Sequence, residues 1–464
     1  MLSFLDRKHS VAKPGHSRWL IPPAALAIHL AIGQVYALSV FNLPLTRVVG
    51  ITESAAADWR LTTVGWIFSI AIVFLGLSAA LFGKWLEREG PRKAMFVSAL
   101  CFSGGFFVSA LGVYLHNIWL VYLGYGVFGG IGLGIGYISP VSTLIKWFPD
   151  RPGMATGMAI MGFGGGAMIG SPLAVNLLDR FSSATSAGVW ETMLVMGTIY
   201  FCLMMIGVFL VRVPRDGWKP EGYTPASNAG KMITDNNVDA DTALKTKQFW
   251  LLWVMLCVNV TAGIGVLGQA SPMIQEMFSA SITVQDAALF VALLSFFNLI
   301  GRFIWSSFSD KIGRKMTYGI YFGLGLTLYA IVPTLGQFDT AVWFIAAFAL
   351  IMTMYGGGFA TIPAYLRDLF GTYQVGAIHG RLLTAWSTAG VLGPVLINYI
   401  RQAQVDAGIP AAEAYSLTMY IMAGLLLIGL ICNLSIREVD EKYHLPVAGN
   451  GDVEKRKLGE KETG

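Results

Sequence analysis

The amino-acid sequence predicts an all-α integral membrane protein, with twelve transmembrane helices in two pseudo-symmetric six-helix halves. Three observations predict it. The 464 residues are 55% hydrophobic and only 13% charged, with a mean hydropathy of +0.61, whereas soluble domains carry about 25% charged residues. Twelve apolar segments reach the roughly 20 residues needed to cross a bilayer. Small residues also recur between the two halves at a fixed offset of 223 positions.

In order, the apolar segments run over 19–42, 62–83, 94–114, 117–142, 154–178, 191–212, 248–272, 286–309, 316–336, 339–365, 378–400 and 413–436. Hydrocarbon offers backbone groups no partner, and the segments are too long for barrel strands, so each is predicted to be a helix. The longest connection, 213–247, is rich in Pro, Gly, Asn and Asp and separates a 19–212 half from a 248–436 half. Residues 1–18 and 437–464 are the tails.

Charge sets the expected orientation. Of the 32 Lys and Arg, 26 lie in the tails, the linker and the loops on the same side, against Arg47, Arg60, Arg180 and Arg401 on the other. That asymmetry predicts cytoplasmic N- and C-termini and a multi-pass protein of the cell inner (plasma) membrane. The net charge of +5 suits an anionic inner leaflet and needs no nucleic acid to explain it. The N-terminus lacks a small-residue cleavage site after a short apolar core, so the first span is expected to be retained. All four cysteines (Cys101, Cys202, Cys257, Cys432) fall in predicted spans without CxxC or His spacing, so neither a disulfide framework nor a metal site is expected. No cofactor is expected either. "GGIGLGIGY" (129–137) and "GFGGGAMIG" (162–170) do not follow a soluble strand, so they read as close helix packing rather than nucleotide loops.

The repeat is specific. Gly134 and Pro140 fall on Gly357 and Pro363, Gly153 and Gly157 on Gly376 and Gly380, and Gly170 on Gly393. The loops "GKWLEREGPRK" (83–93) and "SSFSDKIGRK" (306–315) repeat too, each setting an acid beside a base before a glycine turn. Such a cluster is suited to latching helix ends in one conformation and releasing them in another. Duplicated halves of this kind point to transport, with a site between them near the midplane.

The doubled G-x-x-x-[DE]-[RK] loop, the two halves and the long central loop resemble the major facilitator superfamily. Within it, "GQVYALSVFNLPL" (33–45), "GGGFATIPAYLRDLFG" (356–371) and "HGRLLTAWSTAGVLGP" (379–394) look like the oxalate:formate antiporter family and its monocarboxylate-transporter relatives. The resemblance covers roughly 19–436.

Arg302, inside the eighth span, is the foremost candidate residue. An arginine near the bilayer centre costs at least about 3 kcal/mol. Its repeat partner is Ala79, so fold symmetry does not demand it. Asn298 and Trp305 share its helix face, and a guanidinium fork fits a carboxylate bidentately. The resemblance implies that Arg302 holds the substrate carboxylate. Monocarboxylate transporters resemble this helix but carry an aspartate where Asn298 stands, and a neutral amide accepts no proton. Oxalate exchangers resemble the chain but add a lysine on the eleventh span, whereas here no lysine occurs between Lys315 and Lys442 and the span carries Trp386. One guanidinium suits one negative charge.

The remaining candidates are weaker. Tyr36 and Tyr137 lie at mid-depth in glycine-containing spans and are expected to help cage a substrate, with Trp386, Tyr355 and Phe359 behind them. Arg381 and His379, near a span end, suit a gate or entry path, with snorkelling of Arg381 to the interface as the bland reading. His29 is expected to be a neutral imidazole bonded to a neighbouring helix, with a proton relay as the second reading. The expected function is secondary transport of small monocarboxylates (the lactate, pyruvate, formate class), with or without a co-transported proton, by a functional monomer that is not an enzyme. An oxalate/formate exchanger is the alternative, and a transporter-like sensor the third reading.

Overall fold

The computed structural model describes residues 3–215, 217–223, 232–234, 236–337, 341–410 and 413–446. Parts of the linker and the C-tail beyond 446 lie outside the described residues.

Among the described residues, twelve helices are long and apolar enough to span a membrane. They are α1 Arg18–Leu45, α2 Leu61–Glu89, α3 Pro91–Tyr114, α4 Ile118–Trp147, α5 Pro152–Phe181 and α6 Val189–Leu210 in the first half. The second half holds α7 Lys247–Met277, α8 Val284–Ile312, α9 Arg314–Leu335, α10 Val342–Phe370, α11 Val375–Asp406 and α12 Ser416–Ser435. Local chemistry sets several ends. Pro91 and Pro152 open α3 and α5 without sacrificing a needed donor, and Thr283 with Asp286 forms a capping box at α8. Gly90 and Gly313, repeat partners in the doubled loop, both turn the chain at positive φ, +92° and +86°, where a side chain is strained.

Several spans depart from the predicted ones. α1 is not a uniform helix: Gly33–Phe41 winds as a 3₁₀ helix. This is where α1 meets α5 backbone to backbone, since a Cβ on Gly33 would stand 2.3 Å from the Phe163 carbonyl oxygen. α4 carries a π-helical stretch, Tyr122–Gly129, where Gly124 lies against Ser109 of α3. α4 and α10 continue to Trp147 and Phe370, and α11 starts at Val375. These extensions are buried against protein rather than lipid, which hydropathy alone does not register. The glycine runs do pack helices, Gly132 on Phe102 and Gly166 on Gly33.

The halves meet along two seams, α2 with α11 and α5 with α8. The chain's described ends and linker gather at one end of the bundle, called here the tail end. There Val213 N–H bonds Ser10 and Leu445 N–H bonds Asn237. Two repeat-related acids cap helices of the opposite half. Asp310 of α8 accepts from Gly153 and Met154 N–H at the start of α5, at 2.9 and 2.8 Å. Glu87 of α2 accepts from Gly376 N–H at the start of α11, at 3.0 Å. A carboxylate at a helix N-terminus meets both unpaired donors and the dipole. Arg314 holds Asp310, and Lys146 holds Glu87. The linker adds a third contact: Asp241, from the single turn Ala240–Ala243, pairs with Lys84 of α2 and, at 2.6 Å, with Arg381 of α11.

Candidate functional site

Arg302 is 1% exposed. Its side chain fits because two neighbouring helices carry glycine: a Cβ on Gly164 of α5 would stand 3.1 Å from Nε, and one on Gly356 of α10 would stand 3.1 Å from Cγ. Nε donates to Asn298 Oδ1 at 3.2 Å, and Nη1 donates to the Ile160 carbonyl at 3.2 Å. Nη2 finds no hydrogen-bond partner among the described residues. The guanidinium carbon lies 5.7 Å from the Phe163 ring and 5.5 Å from the Phe359 ring, within cation–π range.

An aromatic layer surrounds it. Phe163 stands 5.2 Å from Tyr36, 5.4 Å from Tyr137 and 5.3 Å from Trp386, and Trp386 stands 4.8 Å from Phe359. Tyr355 packs on Phe359 at 5.4 Å. The layer is polar at its edges. The Tyr36 hydroxyl approaches both the guanidinium and the Tyr355 hydroxyl, yet none of the three completes hydrogen-bond geometry there. Tyr137 Oη and Trp386 Nε1 are likewise buried without a partner among the described residues. An unmet buried donor costs about 1–3 kcal/mol, so a ligand that met this cluster around the guanidinium would recover that cost.

The predicted residues Arg302, Asn298, Tyr36, Tyr137 and Trp386 therefore lie together, drawn from α8, α1, α4 and α11. Above them, between α1, α5, α7 and α8, runs a cavity of about 500 Å³ whose walls include Tyr36, Ser39, Gly164, Met168, Ser295 and Asn298. It extends away from the tail end. Toward the tails the halves touch, with Thr156 Oγ1 donating to the Ala360 carbonyl at 2.7 Å.

The other candidates sit apart. His29 lies behind Tyr137, its ring nitrogens against the Ala159 and Tyr137 carbonyl oxygens at 2.6 and 3.2 Å. His379 is 1% exposed, 5.8 Å from the Tyr137 ring. Arg381 does not reach the cluster; it holds Asp241 rather than reaching free to the interface. Lys84 and Arg381 together keep the Asp241 carboxyl depressed to about 2. Phe163, which touches four of the cluster's side chains, is not singled out by the sequence. Its signal was present, as the one aromatic ring within a run of small residues in "GFGGGAMIG".

Most of this architecture matches known proteins. The family model described as Major Facilitator Superfamily matches residues 20–394. An uncharacterised MFS-type transporter, YhjX, of Escherichia coli is 28% identical over 78% of this chain and 83% of its own. The oxalate:formate antiporter of Oxalobacter formigenes is 26% identical, over 81% and 83%. Apicoplast pyruvate carrier 1 of Toxoplasma gondii is 24% identical, over 70% and 68%. In fold, the chain is similar to the transporter FucP in its outward conformation, with a TM-score of 0.63 at 13% identity, covering 90% of this chain and 99% of that one. With twelve spanning helices in two repeated halves, and a family match across most of its length, the chain belongs to the Major Facilitator Superfamily of membrane transporters.

Proposed function

We propose that the protein is a secondary active transporter of small carboxylates, most suited to monoanions of the lactate, pyruvate and formate class, and that Arg302 pairs the substrate carboxylate. The observation that carries this reading is the guanidinium itself: buried, without an acid at its fork, with Nη2 uncommitted and three phenol hydroxyls at hand. A carboxylate reaching it from the cavity gains a charge-assisted pair in a low-dielectric setting. Asn298, Tyr36, Tyr137 and Trp386 then meet its remaining oxygens and its apolar end. The names of the antiporter and pyruvate-carrier relatives support the substrate class.

In this reading the tails and linker are cytoplasmic, in the plasma membrane, and the structure corresponds to a state closed at that end. Transport follows from rocking of 19–212 against 248–436 within a monomer, with Asp310, Glu87 and the Asp241–Arg381 contact closing the cytoplasmic gate. His29, its shorter contact an Nδ1–H donating to the Ala159 carbonyl at 2.6 Å, serves structure by tying α1 to α5.

The second reading, an oxalate/formate exchanger, is favoured by the antiporter's likeness. Charge counting opposes it: among the described residues a second buried carboxylate would find no second cation at Arg302, and an unpaired buried charge costs several kcal/mol. The test is competition in proteoliposomes. Excess lactate, pyruvate or formate should displace labelled monocarboxylate uptake far better than oxalate does. Equal competition by oxalate would establish the exchanger, and absence of any carboxylate uptake would remove the reading altogether.

A further inference from the structure

α1 leaves α-helical winding where it passes the arginine site, and a buried side chain ties down that stretch. Over Gly33–Phe41 the chain winds as a 3₁₀ helix for 9 residues, although runs beyond about four are uncommon because their hydrogen bonds are poorer. Gln34, fully buried, lies in its first turn, and its Oε1 accepts from the Tyr125 hydroxyl at 2.7 Å. Tyr125, 1% exposed, belongs to the π-helical stretch Tyr122–Gly129 of α4. One irregular segment is thus bonded to another inside the first half.

The winding decides what α1 shows the cavity. In a 3₁₀ helix, residues three apart stand directly above one another. Tyr36 and Ser39 do so in the cavity wall. Gln34 and Ala37 do so against α5, where a Cβ on Gly170 would stand 3.3 Å from Gln34 Cγ and 3.6 Å from Ala37 Cβ. At about 100° rather than 120° per residue, α-helical winding would turn Tyr36 by about 40° relative to Gln34, and Ser39 by about 60° relative to Tyr36. Such a turn carries the Tyr36 hydroxyl away from the Arg302 guanidinium and the Tyr355 hydroxyl that it approaches. The same stretch seats Tyr36 on Phe163 at 5.2 Å between rings, while Gly33 packs on the Phe163 carbonyl, so a change of winding is felt at both contacts.

We propose that Gln34 and Tyr125 are positioning residues of the carboxylate site: their hydrogen bond holds the 3₁₀ winding of α1 and so keeps the Tyr36 hydroxyl at Arg302, without either residue touching the substrate. The inference rests on the proposed roles of Arg302 and Tyr36. Neither Gln34 nor Tyr125 borders the cavity, so their effect on a bound anion runs through Tyr36. Contact through Gly33 sets how near α1 lies to α5; the side-chain bond to Tyr125 sets its twist. Tyr200 of α6 supplies the contrast. Its hydroxyl lies in the same buried region, 3.1 Å from where a Cβ on Gly170 would stand, but has no hydrogen-bond partner among the described residues, so it ties nothing to α1.

The test is calorimetric titration of the purified full-length protein with L-lactate and with pyruvate, read as the fold-change in Kd. Tyr36→Phe, which removes a hydroxyl at the guanidinium, should weaken binding about tenfold. Tyr125→Phe, which removes a hydroxyl outside the cavity, should weaken it about fivefold, and Tyr200→Phe should leave it within about twofold of wild type. The double variant Tyr36→Phe/Tyr125→Phe should bind no worse than Tyr36→Phe alone, because the second hydroxyl acts through the first. Three results overturn the inference while leaving the carboxylate site standing: wild-type affinity in Tyr125→Phe, losses that multiply to about fiftyfold in the double variant, or a loss in Tyr200→Phe equal to that in Tyr125→Phe. Should Tyr125→Phe fail to fold, Gln34→Met, which keeps the length of the side chain without its amide oxygen, takes its place with the same expectations. Wild-type affinity in Tyr36→Phe removes Tyr36 from the site and the inference with it. Wild type that binds neither acid overturns the Arg302 reading itself.

Discussion

The two seams between the halves are related by the same repeat and yet behave differently. Toward the tails they match: Glu87 and Asp310 cap helices across the interface, and Gly380 and Gly157 are the points of closest approach. Farther from the tails they part. Along α2/α11, Ser387 Oγ donates to the Ile72 carbonyl at 2.6 Å, and a Cβ on Gly390 would stand 2.8 Å from Ile72 Cγ2, so the seam stays shut. Along α5/α8, Arg302 takes the place of Ala79, and beyond it Gly164, Met168 and Ser295 line the cavity. The duplicated parts bring the halves together; the unduplicated arginine lies where a cavity begins.

Breaking that asymmetry should have the largest effect. Arg302→Lys keeps the charge but loses the fork, and proteoliposome uptake of lactate should fall about 10- to 100-fold, the worth of a hydrogen bond to a charged group. Moving the cation to the other seam, as Ala79→Arg in an Arg302→Ala background, should restore nothing. Near-normal uptake by the lysine variant would reduce Arg302 to a source of field.

The matched end can be tested on both seams at once. Asp310→Asn and Glu87→Gln each remove a charged helix cap, so reactivity of a cysteine introduced at Ser142, beneath the latch, should rise by about tenfold in either variant. Equal effects would mean both seams share the closure. A large effect from one alone would place closure on that seam.

Smaller again is the contrast between the glycines. A Cβ on Gly380 would meet the Ala79 carbonyl oxygen at 2.1 Å, whereas one on Gly157 would meet the Ser306 hydroxyl at 2.1 Å. A side-chain hydroxyl can rotate away and a helix carbonyl cannot. Gly380→Ala should therefore open the tail end more than Gly157→Ala by the same cysteine assay, and the reverse order would show that the α5/α8 approach is the tighter constraint.

The smallest effect belongs to the linker. Asp241 is 60% exposed, so its ion pairs are screened, and Asp241→Asn should change transport only a few-fold. Its depressed carboxyl contributes fully above the ordinary carboxylate range and loses that contribution only as pH falls toward about 2. Wild type and Asp241→Asn should then show parallel pH profiles between about pH 5 and 8. Divergence there would mean that the linker contact senses pH.

Much of this was legible in the chain. Twelve spans, the duplication, the two acid–base loops and the oddity of Arg302 follow from hydropathy, spacing and the cost of a buried charge. So did Tyr36, Tyr137 and Asn298, because helical spacing and depth are local properties. Phe163 was not, since a ring amid glycines reads as packing until its neighbours are known. For Arg381, near a span end, the sequence did not supply the partner: Asp241 is 140 residues away in a linker without regular pattern.

By itself, then, the sequence determined which segments leave water, how they repeat and where the unpaired charge lies, because transfer free energy and periodicity act over a few turns of one helix. Only the tertiary structure decided which seam holds a cavity, which of two histidines has no hydrogen-bond partner among the described residues, and that Asp310 and Glu87 cap the opposite half. Those outcomes depend on backbones meeting within a few ångströms across elements more than a hundred residues apart, and no local pattern records such a distance.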